Sequence, residues 1–458
     1  MTTNTGRKLK RHLSTDSQKA TKQALPAPGL VSGSWLRTVA CENADVFEWE
    51  GLGRPLGPVA EGHLPGGFLR WGSMCSGSEG PHFAIAAMNH VLGRKGLHTL
   101  RHEFSCELSA DKRKWIRCVN QFGELTMAEA DSQWQIVGAT GQDSFVPCIF
   151  EDMTRMNEHE ADCWQHGQKC PVRSVDLLIV GTSCKDMSRA NSSVQSRTNF
   201  CLSQATSRGG SAQTFHGLLA YVDAHRPLII LFENVDAMDD KAAGPGTNLD
   251  LFMSEMASRG YEGQLVMTDA CQFGLPARRR RIYVLLVRVT GNPLLDFAQR
   301  SLTEQLHMFR NLLGKCLRTA PCASSILLDA KDPAVTAELS QRQAKAAGNS
   351  QSSLSGNWAD LHMQFAESIK VRWGRKPLQE LACNPWFKTL TPREQDALPL
   401  CQAQMPTSLL RDVSQSISRM NSATLQDDGA HISPTMMPKQ ALWVERGWSQ
   451  DSCSAEKP

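Results

Sequence analysis

The chain has 458 residues, 41% hydrophobic and 21% charged, with a net charge of +3. That length implies two or three domains, and the composition suits a globular chain with a sizeable core rather than a disordered one. The small positive charge permits a nucleic-acid partner without arguing for one, and apolar runs as short as Leu177–Val180 and Leu228–Phe232 exclude a bilayer-spanning helix.

Residues 1–66 read as a disordered or irregular N-terminal segment. It carries a basic run, Arg7-Lys8-Leu9-Lys10-Arg11-His12. Such a run is a solvated tail or, in the sharper reading, a nuclear-targeting or phosphate-contacting segment.

Regular patterning starts at a strand over Phe68–Met74, which runs into Cys75-Ser76-Gly77-Ser78-Glu79-Gly80 and an apolar helix. Further strands are expected at His102–Cys106, Val146–Phe150, Val175–Val180, Leu228–Phe232 and Ile282–Val289. Helices are expected between them, as at Thr214–Ala224 and Leu249–Arg259. Continuous apolar strands alternating with helices predict an α/β fold, a mostly parallel sheet covered on both faces. Ligands of such sheets bind beyond the carboxyl ends of the strands. Glu107, Asp152, Cys184 and Glu233 all fall at or just past those ends.

Each of these positions has a chemical reading. The Gly-containing turn lets backbone approach a ligand, and the following helix offers free N–H groups. Glu107 could accept from ribose hydroxyls, and Asp152 from an adenine amino group. Cys184, on the loop Thr182–Ser188, is placed as a nucleophile whose thiolate nearby cations would favour. Glu233, in Phe232-Glu233-Asn234-Val235, could donate a proton from a closed pocket. The block Arg278-Arg279-Arg280-Arg281 reads as a solvated or phosphate-facing loop. If it is extended, alternation sends two of its side chains each way.

In this order, over roughly residues 68–290, the motifs resemble those of the cytosine-5 methyltransferase family. Ser73–Gly80 is similar to its cofactor motif, with Cys75 in place of a Phe and Glu79 in place of a Gly. Gly181-Thr182-Ser183-Cys184 is similar to its Pro-Cys loop, with Ser183 for the Pro and Lys185 for a Gln. Arg208–Phe215 resembles its Gly-rich segment. Glu233-Asn234-Val235 matches without change. Phe273–Arg281 is close to its Phe-Gly-x-Pro-Gln-x-Arg-x-Arg motif, with Ala277 for the Gln.

The resemblance implies a Rossmann-like S-adenosylmethionine-dependent methyltransferase fold at residues 67–290. A variable target-recognition-like region would follow at 291–405, and a C-terminal segment at 406–458 would be a truncated return to the catalytic domain. It implies S-adenosylmethionine as cofactor, held by Cys75, Ser76, Gly77, Ser78, Glu79, Gly80, Glu107, Leu108, Asp152 and Met153. It implies catalysis by Cys184, Glu233, Arg279 and Arg281, through a covalent Cys184 adduct on a flipped-out cytosine. DNA is the expected partner and the nucleus the expected location. RNA with the cytoplasm, or a methyltransferase-like binding protein without turnover, are the alternatives.

Two features lie outside that pattern. The family's terminal Gly-Asn helix is not recognisable; Ser433–Pro438 with Leu442-Trp443-Val444 would be its remnant. Lys370–Lys376 interleaves cations with Trp373, as a nucleic-acid contact or a solvated segment.

The 15 cysteines follow a polar N-terminus with no apolar signal core, so a reducing setting is expected and a disulfide framework is not. His159, Cys163, His166 and Cys170 have a spacing that suits zinc, but without Cys-x-x-Cys pairs they are expected to be incidental loop residues, with no metal.

Overall fold

The computed structural model describes residues 68–94, 99–130, 146–189, 210–241, 246–296, 301–321, 327–329, 331–348, 358–372, 381, 383–406, 410–414, 416–417 and 442–444. The N-terminal basic run, Arg208 and Gly209, residues 373–376 and the Ser433–Pro438 stretch lie outside them.

A nine-stranded sheet carries the fold. In chain order its first part is β1 (Phe68–Met74), α1 (Gly80–Arg94), β2 (Thr99–Cys106), α2 (Ala110–Ala130), β3 (Cys148–Phe150), β4 (Glu160–Cys163), β5 (Gln168–Pro171) and β6 (Leu177–Gly181). It continues through α3 (Ser211–His225), β7 (Ile229–Val235), α4 (Asn248–Ser258), β8 (Tyr261–Asp269) and β9 (Arg280–Arg288). The strand order is β5-β4-β3-β2-β1-β6-β7-β9-β8. The central five strands, β3 to β7 across the sheet, are parallel, and β4, β5, β9 and β8 extend it antiparallel at both edges. The strand order reverses between β1 and β6, which is where an open α/β sheet forms its binding crevice.

The strands form where apolar runs predict them. Phe68–Met74 agrees to the residue, and the others extend the expected cores by a few residues or trim them. The β4–β5 hairpin and β8 were not expected. Both are polar edge elements, and β8 buries little besides Tyr261 and Asp269, so neither has the continuous apolar run of a central strand. One core joins the sheet to its helices. It includes Phe104, Phe150, Phe215, Phe232, Phe252 and Tyr221, with Phe232 and Phe252 stacked at 4.0 Å. Among the described residues, no helix is long and apolar enough to cross a membrane.

Past the sheet come α5 (Pro293–Asp296), α6 (Leu302–Lys315), α7 (Pro333–Gly348), α8 (Trp358–Ser368) and α9 (Pro392–Gln404). A second cluster forms here from Phe387, Ala397, Leu398, Cys401 and Val413. The buried His362 of α8 meets Asp396 of α9 at 2.7 Å. β10 (Leu410–Asp412) pairs antiparallel with β11 (Leu442–Val444). Val413 and Ile417, expected to begin a return to the catalytic domain, pack on α9 and α8.

One buried acid departs from the rules for a core. Glu79 is fully buried, and its Oε1 accepts from the Ser73 hydroxyl at 2.9 Å while Oε2 has no partner. Burial pushes its carboxyl up to about 7, against lowering by hydrogen bonds from Ser73, Ser105 and Ser76. His102, 3.9 Å away, is held neutral by its own burial, which lowers it to about 3. The two therefore form no ion pair at neutral pH. Between the ordinary Glu value and 7, the folded protein keeps a proton that the unfolded chain has released. Stability from this group is full below that window, falls as pH rises through it and is gone above it. Glu79→Gln is expected to flatten this loss and raise stability at pH 8 by at most about 3 kcal/mol, at about 1.4 kcal/mol per pH unit. Urea unfolding of both proteins from pH 5 to pH 8 measures it.

Candidate active site

The sheet brings the candidate residues to one edge. The turn after β1 is built by alternating left-handed backbone: Cys75, Gly77 and Glu79 have φ of 53°, 58° and 56°. The turn's N–H groups are used within the protein: Ser76 donates to the Cys106 carbonyl, Gly77 to Glu107 and Glu79 to the Ser76 carbonyl. Ser76 ties the turn to β2. Its N–H donates to the Cys106 carbonyl, and the Cys106 N–H donates to its hydroxyl at 3.1 Å. The Gly77 N–H donates to Glu107 Oε2, and the Ser109 N–H to Glu107 Oε1, each at 2.9 Å. Ser78 is exposed and its carbonyl accepts from the Trp115 indole. Gly80 opens α1 with free space where a Cβ would stand. Cys75 packs its sulfur on Met153 at 3.3 Å, and burial pushes its thiol up to about 12, so it is no nucleophile. Glu79, expected in the cofactor site, turns its side chain into the core; only its backbone remains at the turn.

Beside Glu107, Leu108 is 76% exposed. Asp152 is exposed past β3 and caps the next turn, accepting from the Thr154 N–H and hydroxyl through Oδ1. Met153 is buried. Arg113, which sequence reasoning did not single out, donates to the Glu107 and Leu108 carbonyls and lies 3.4 Å from Glu151. It locks the ends of β2 and β3 together. An anchored carboxylate, a bare leucine and a second carboxylate in a row fit the ribose and adenine of an adenosine cofactor.

The second half of the site lies at the ends of β6, β7 and β9. Gly181 is in register with Glu233, and a Cβ there would meet Glu233 Oε2 at 3.0 Å. Glycine is what lets the carboxylate lie across the neighbouring strand. On the other face, the buried Asn234 amide donates to the Thr182 carbonyl at 3.2 Å and hydroxyl at 2.9 Å. The Cys184 loop is also fastened to the start of α3. The Ser183 N–H donates to the Thr214 hydroxyl, and Asp186 and Ser211 exchange two hydrogen bonds. Arg189 then grips Asp236 and Asp240 after β7. Sequence reasoning missed the roles of Asp186, Arg189, Ser211 and Thr214. Asn234 lay inside the matched Glu-Asn-Val, Ser211 and Thr214 inside Arg208–Phe215, and Asp186 inside the Cys184 loop; Arg189 carried no signal.

The arginine block divides as strand alternation requires. Arg278 and Arg280 lie 3.5 and 3.7 Å from the buried Asp269, and Arg279 donates its backbone N–H to it. Arg281 turns the other way and meets Glu233 at 2.8 Å. Cys184 is half-buried beside them. Burial raises its thiol above the ordinary value; Arg281 and Arg279 lower it, and Glu233 raises it. Cys184, Glu233, Arg279 and Arg281 thus share one electrostatic neighbourhood.

The metal-binding candidates come out differently. His159 is not among the convergent ligands, and Cys148 takes its place beside Cys163, His166 and Cys170.

A mostly parallel α/β sheet, with Glu107 and Asp152 past the ends of β2 and β3 and a cysteine–carboxylate–arginine cluster at β6, β7 and β9, is that of a Rossmann-like S-adenosylmethionine-dependent methyltransferase. The family model for C-5 cytosine-specific DNA methylase matches residues 125–383, more than half of the chain, and the chain belongs to that family. The match contains all four catalytic candidates and begins after the β1 turn.

The chain is 25% identical over 414 residues to the DNA (cytosine-5-)-methyltransferase DMT5 of Cryptococcus neoformans, covering 83% of this chain and 15% of that protein. To the protein of the same name from Verticillium dahliae it is 24% identical over 259 residues, covering 47% of this chain and 10% of that one. It therefore spans a small fraction of these relatives' length. Among solved structures, the Dnmt2 methyltransferase of S. pombe is 14% identical, with 52% of this chain and 54% of that chain covered at a TM-score of 0.29. The Entamoeba histolytica methyltransferase EhMeth is 10% identical, with 48% and 53% covered at 0.27.

The charge balance at Cys184 sets its reactivity. Glu233→Gln removes a charge that raises the thiol and is expected to speed alkylation of Cys184 at pH 7.5. Arg281→Gln is expected to slow it, each by roughly three- to tenfold through the thiolate fraction. Iodoacetamide labelling with mass spectrometry of the Cys184 peptide measures both rates.

Proposed function

We propose that this chain transfers a methyl group from S-adenosylmethionine to carbon 5 of cytosine in DNA, with Cys184 as covalent nucleophile. The observation that carries this reading is the electrostatic neighbourhood that Cys184 shares with Arg281, Glu233 and Arg279, in which Arg281 and Glu233 meet at 2.8 Å. Family membership supports it independently.

Cytosine is a poor nucleophile at carbon 5. A bond from the Cys184 sulfur to carbon 6 turns the ring into an enamine that is nucleophilic there. The electron pair of the 5,6 double bond moves to carbon 5 as Glu233 protonates or hydrogen-bonds N3. Arg281 and Arg279 supply positive charge that favours the thiolate and can hold the base carbonyl. At rest, Glu233 offsets Arg281 and the thiol stays protonated. A base that takes up Glu233's hydrogen bond would leave Arg281 free to act on the sulfur, so the nucleophile would sharpen only when occupied. When bound, the cofactor would supply the methyl group to carbon 5, its methyl–sulfur bond breaking to leave the neutral thioether. A solvent base then takes the carbon 5 proton, and the pair of that C–H bond restores the 5,6 double bond as the carbon–sulfur bond breaks and the thiolate leaves.

The cofactor would be held by the Cys75–Gly80 backbone, Glu107, Leu108, Asp152 and Met153. The target base must leave its stack, at a cost of a few kcal/mol. Contacts from exposed arginines such as Arg280 to phosphate would offset that cost and make binding salt-sensitive.

The test uses the full chain, labelled cofactor, and DNA or RNA carrying 5-fluorocytosine, whose fluorine blocks the final elimination. A denaturant-stable adduct with DNA is expected, lost in Cys184→Ser and formed about 10²–10⁴-fold more slowly in Glu233→Gln. An adduct that survives Cys184→Ser overturns the nucleophile. An adduct on RNA alone overturns the substrate, and none on either polymer overturns the activity.

A further inference from the structure

We propose that Cys148, Cys163, His166 and Cys170 bind a structural zinc ion that staples the β4–β5 hairpin to the edge of the sheet. The four ligand atoms lie within 4.8 Å of one another. They come from three strands and one turn. Cys148 starts β3, Cys163 ends β4, His166 sits in the turn, and Cys170 lies in β5. Phe150 is in register with Cys163, and Ala161 with Cys170. The pleat therefore sends Cys148, Cys163 and Cys170 to one face, and the turn folds His166 over it. Gly167, at φ 66°, closes that turn with an N–H donated to the Cys163 carbonyl.

The three nitrogen–sulfur distances fit the edges of a tetrahedron. His166 Nδ1 lies 3.3 Å from the Cys163 sulfur, 3.4 Å from that of Cys170 and 3.7 Å from that of Cys148. Zinc bonds of about 2.3 Å to sulfur and about 2.1 Å to nitrogen put the sulfur–nitrogen edge of a tetrahedron at about 3.6 Å. Hydrogen bonding alone does not account for this grouping. An imidazole nitrogen has one proton or one lone pair to offer, and three sulfurs surround it. A cation at the centre satisfies all four atoms. The backbone N–H groups of Ile149 and His166 also reach the Cys163 sulfur, as suits a thiolate ligand.

Four protein ligands fill the coordination shell, which marks a structural ion rather than a catalytic one. Binding displaces three thiol protons to solvent, and the neutral imidazole binds through Nδ1. Zinc is favoured over harder cations by three sulfurs and one nitrogen. β4 meets β3 through a single registered pair and the Trp164 N–H donated to the Ile149 carbonyl, so the ion would reinforce a short ladder. The hairpin is also held by Ala161, Cys163 and Cys170, which pack in the main core, and by α2, where Arg117 stacks 4.0 Å over Trp164 and donates to Gln165 at 2.9 Å. The same staple steadies β3, two residues past whose end stands Asp152. The site is independent of the methyl-transfer reading.

The full chain, purified under reducing conditions with zinc supplied, is expected to hold one zinc per molecule by elemental analysis. Cobalt(II) added to the stripped protein should give the intense visible bands of a tetrahedral ion and a thiolate charge-transfer band in the ultraviolet. Both signals should be lost in Cys163→Ser with Cys170→Ser and kept in the exposed-cysteine controls Cys118→Ser and Cys383→Ser. Wild-type protein that takes up neither metal overturns the proposal, whatever the variants do. So does full retention of metal in the double variant, or a disulfide among the three cysteines in protein alkylated on lysis.

Discussion

The site depends on one register. Gly181 of β6 stands opposite Glu233 of β7, and Thr182, just past the end of β6, is joined to Asn234 of β7 by the buried amide. Because side chains alternate, Glu233 faces the cleft while Asn234 faces the Cys184 loop. A slip of one residue would exchange them, leaving an amide in the cleft and a carboxylate under the loop. β9 extends the same logic. Val235 pairs with Arg281, so Arg281 shares a face with Glu233 two residues away and reaches it diagonally. Nucleophile, acid and guanidinium are thus placed by backbone ladders rather than by loops alone.

The cofactor side solves the same problem with strained backbone. Two non-glycine residues, Cys75 and Glu79, adopt left-handed φ on either side of Gly77. That conformation costs each of them of order 1 kcal/mol. The turn persists because its neighbours over-determine it. Ser76 hydrogen-bonds β2 through both backbone and side chain, and Glu79 plugs the core beneath with its carboxyl against Ser73. Where the family places a glycine, this chain has a residue that fills space inside the sheet. The substitution changes what lies under the turn, while the Glu79 N–H closes the turn on the Ser76 carbonyl.

The two edges of the sheet differ in how they are held. At one, β8 shares a long antiparallel ladder with β9, and Gly263 admits Leu286 so closely that a Cβ would meet it at 2.6 Å. At the other, β4 has almost no ladder to β3, and side chains must do what hydrogen bonds do elsewhere. Trp164 under Arg117 and the Cys148–Cys163–His166–Cys170 cluster meet that need from opposite sides of the hairpin. Past β9, the chain builds a separate small core around Phe387 and Leu398.

The sequence by itself determined the central strands, because fully buried parallel strands must be continuously apolar and the turns after them polar. It therefore also determined which residues stand at the strand ends: Glu107, Asp152, Cys184 and Glu233. The partition of the arginine block followed from alternation on the condition that the segment is extended, as β9 is from Arg280 onward. The direction of Glu79 was decided only by tertiary structure, since a glutamate in a Gly-rich turn is expected to face water. So were the edge strands, whose polar residues carry no continuous apolar run. The cysteine–histidine cluster shows the reason most clearly. Cys148 lies fifteen residues before Cys163, with no short spacing to link them, while His159 is nearer in sequence and excluded. Proximity there is made by β-pairing across strands, a long-range contact that linear spacing does not encode.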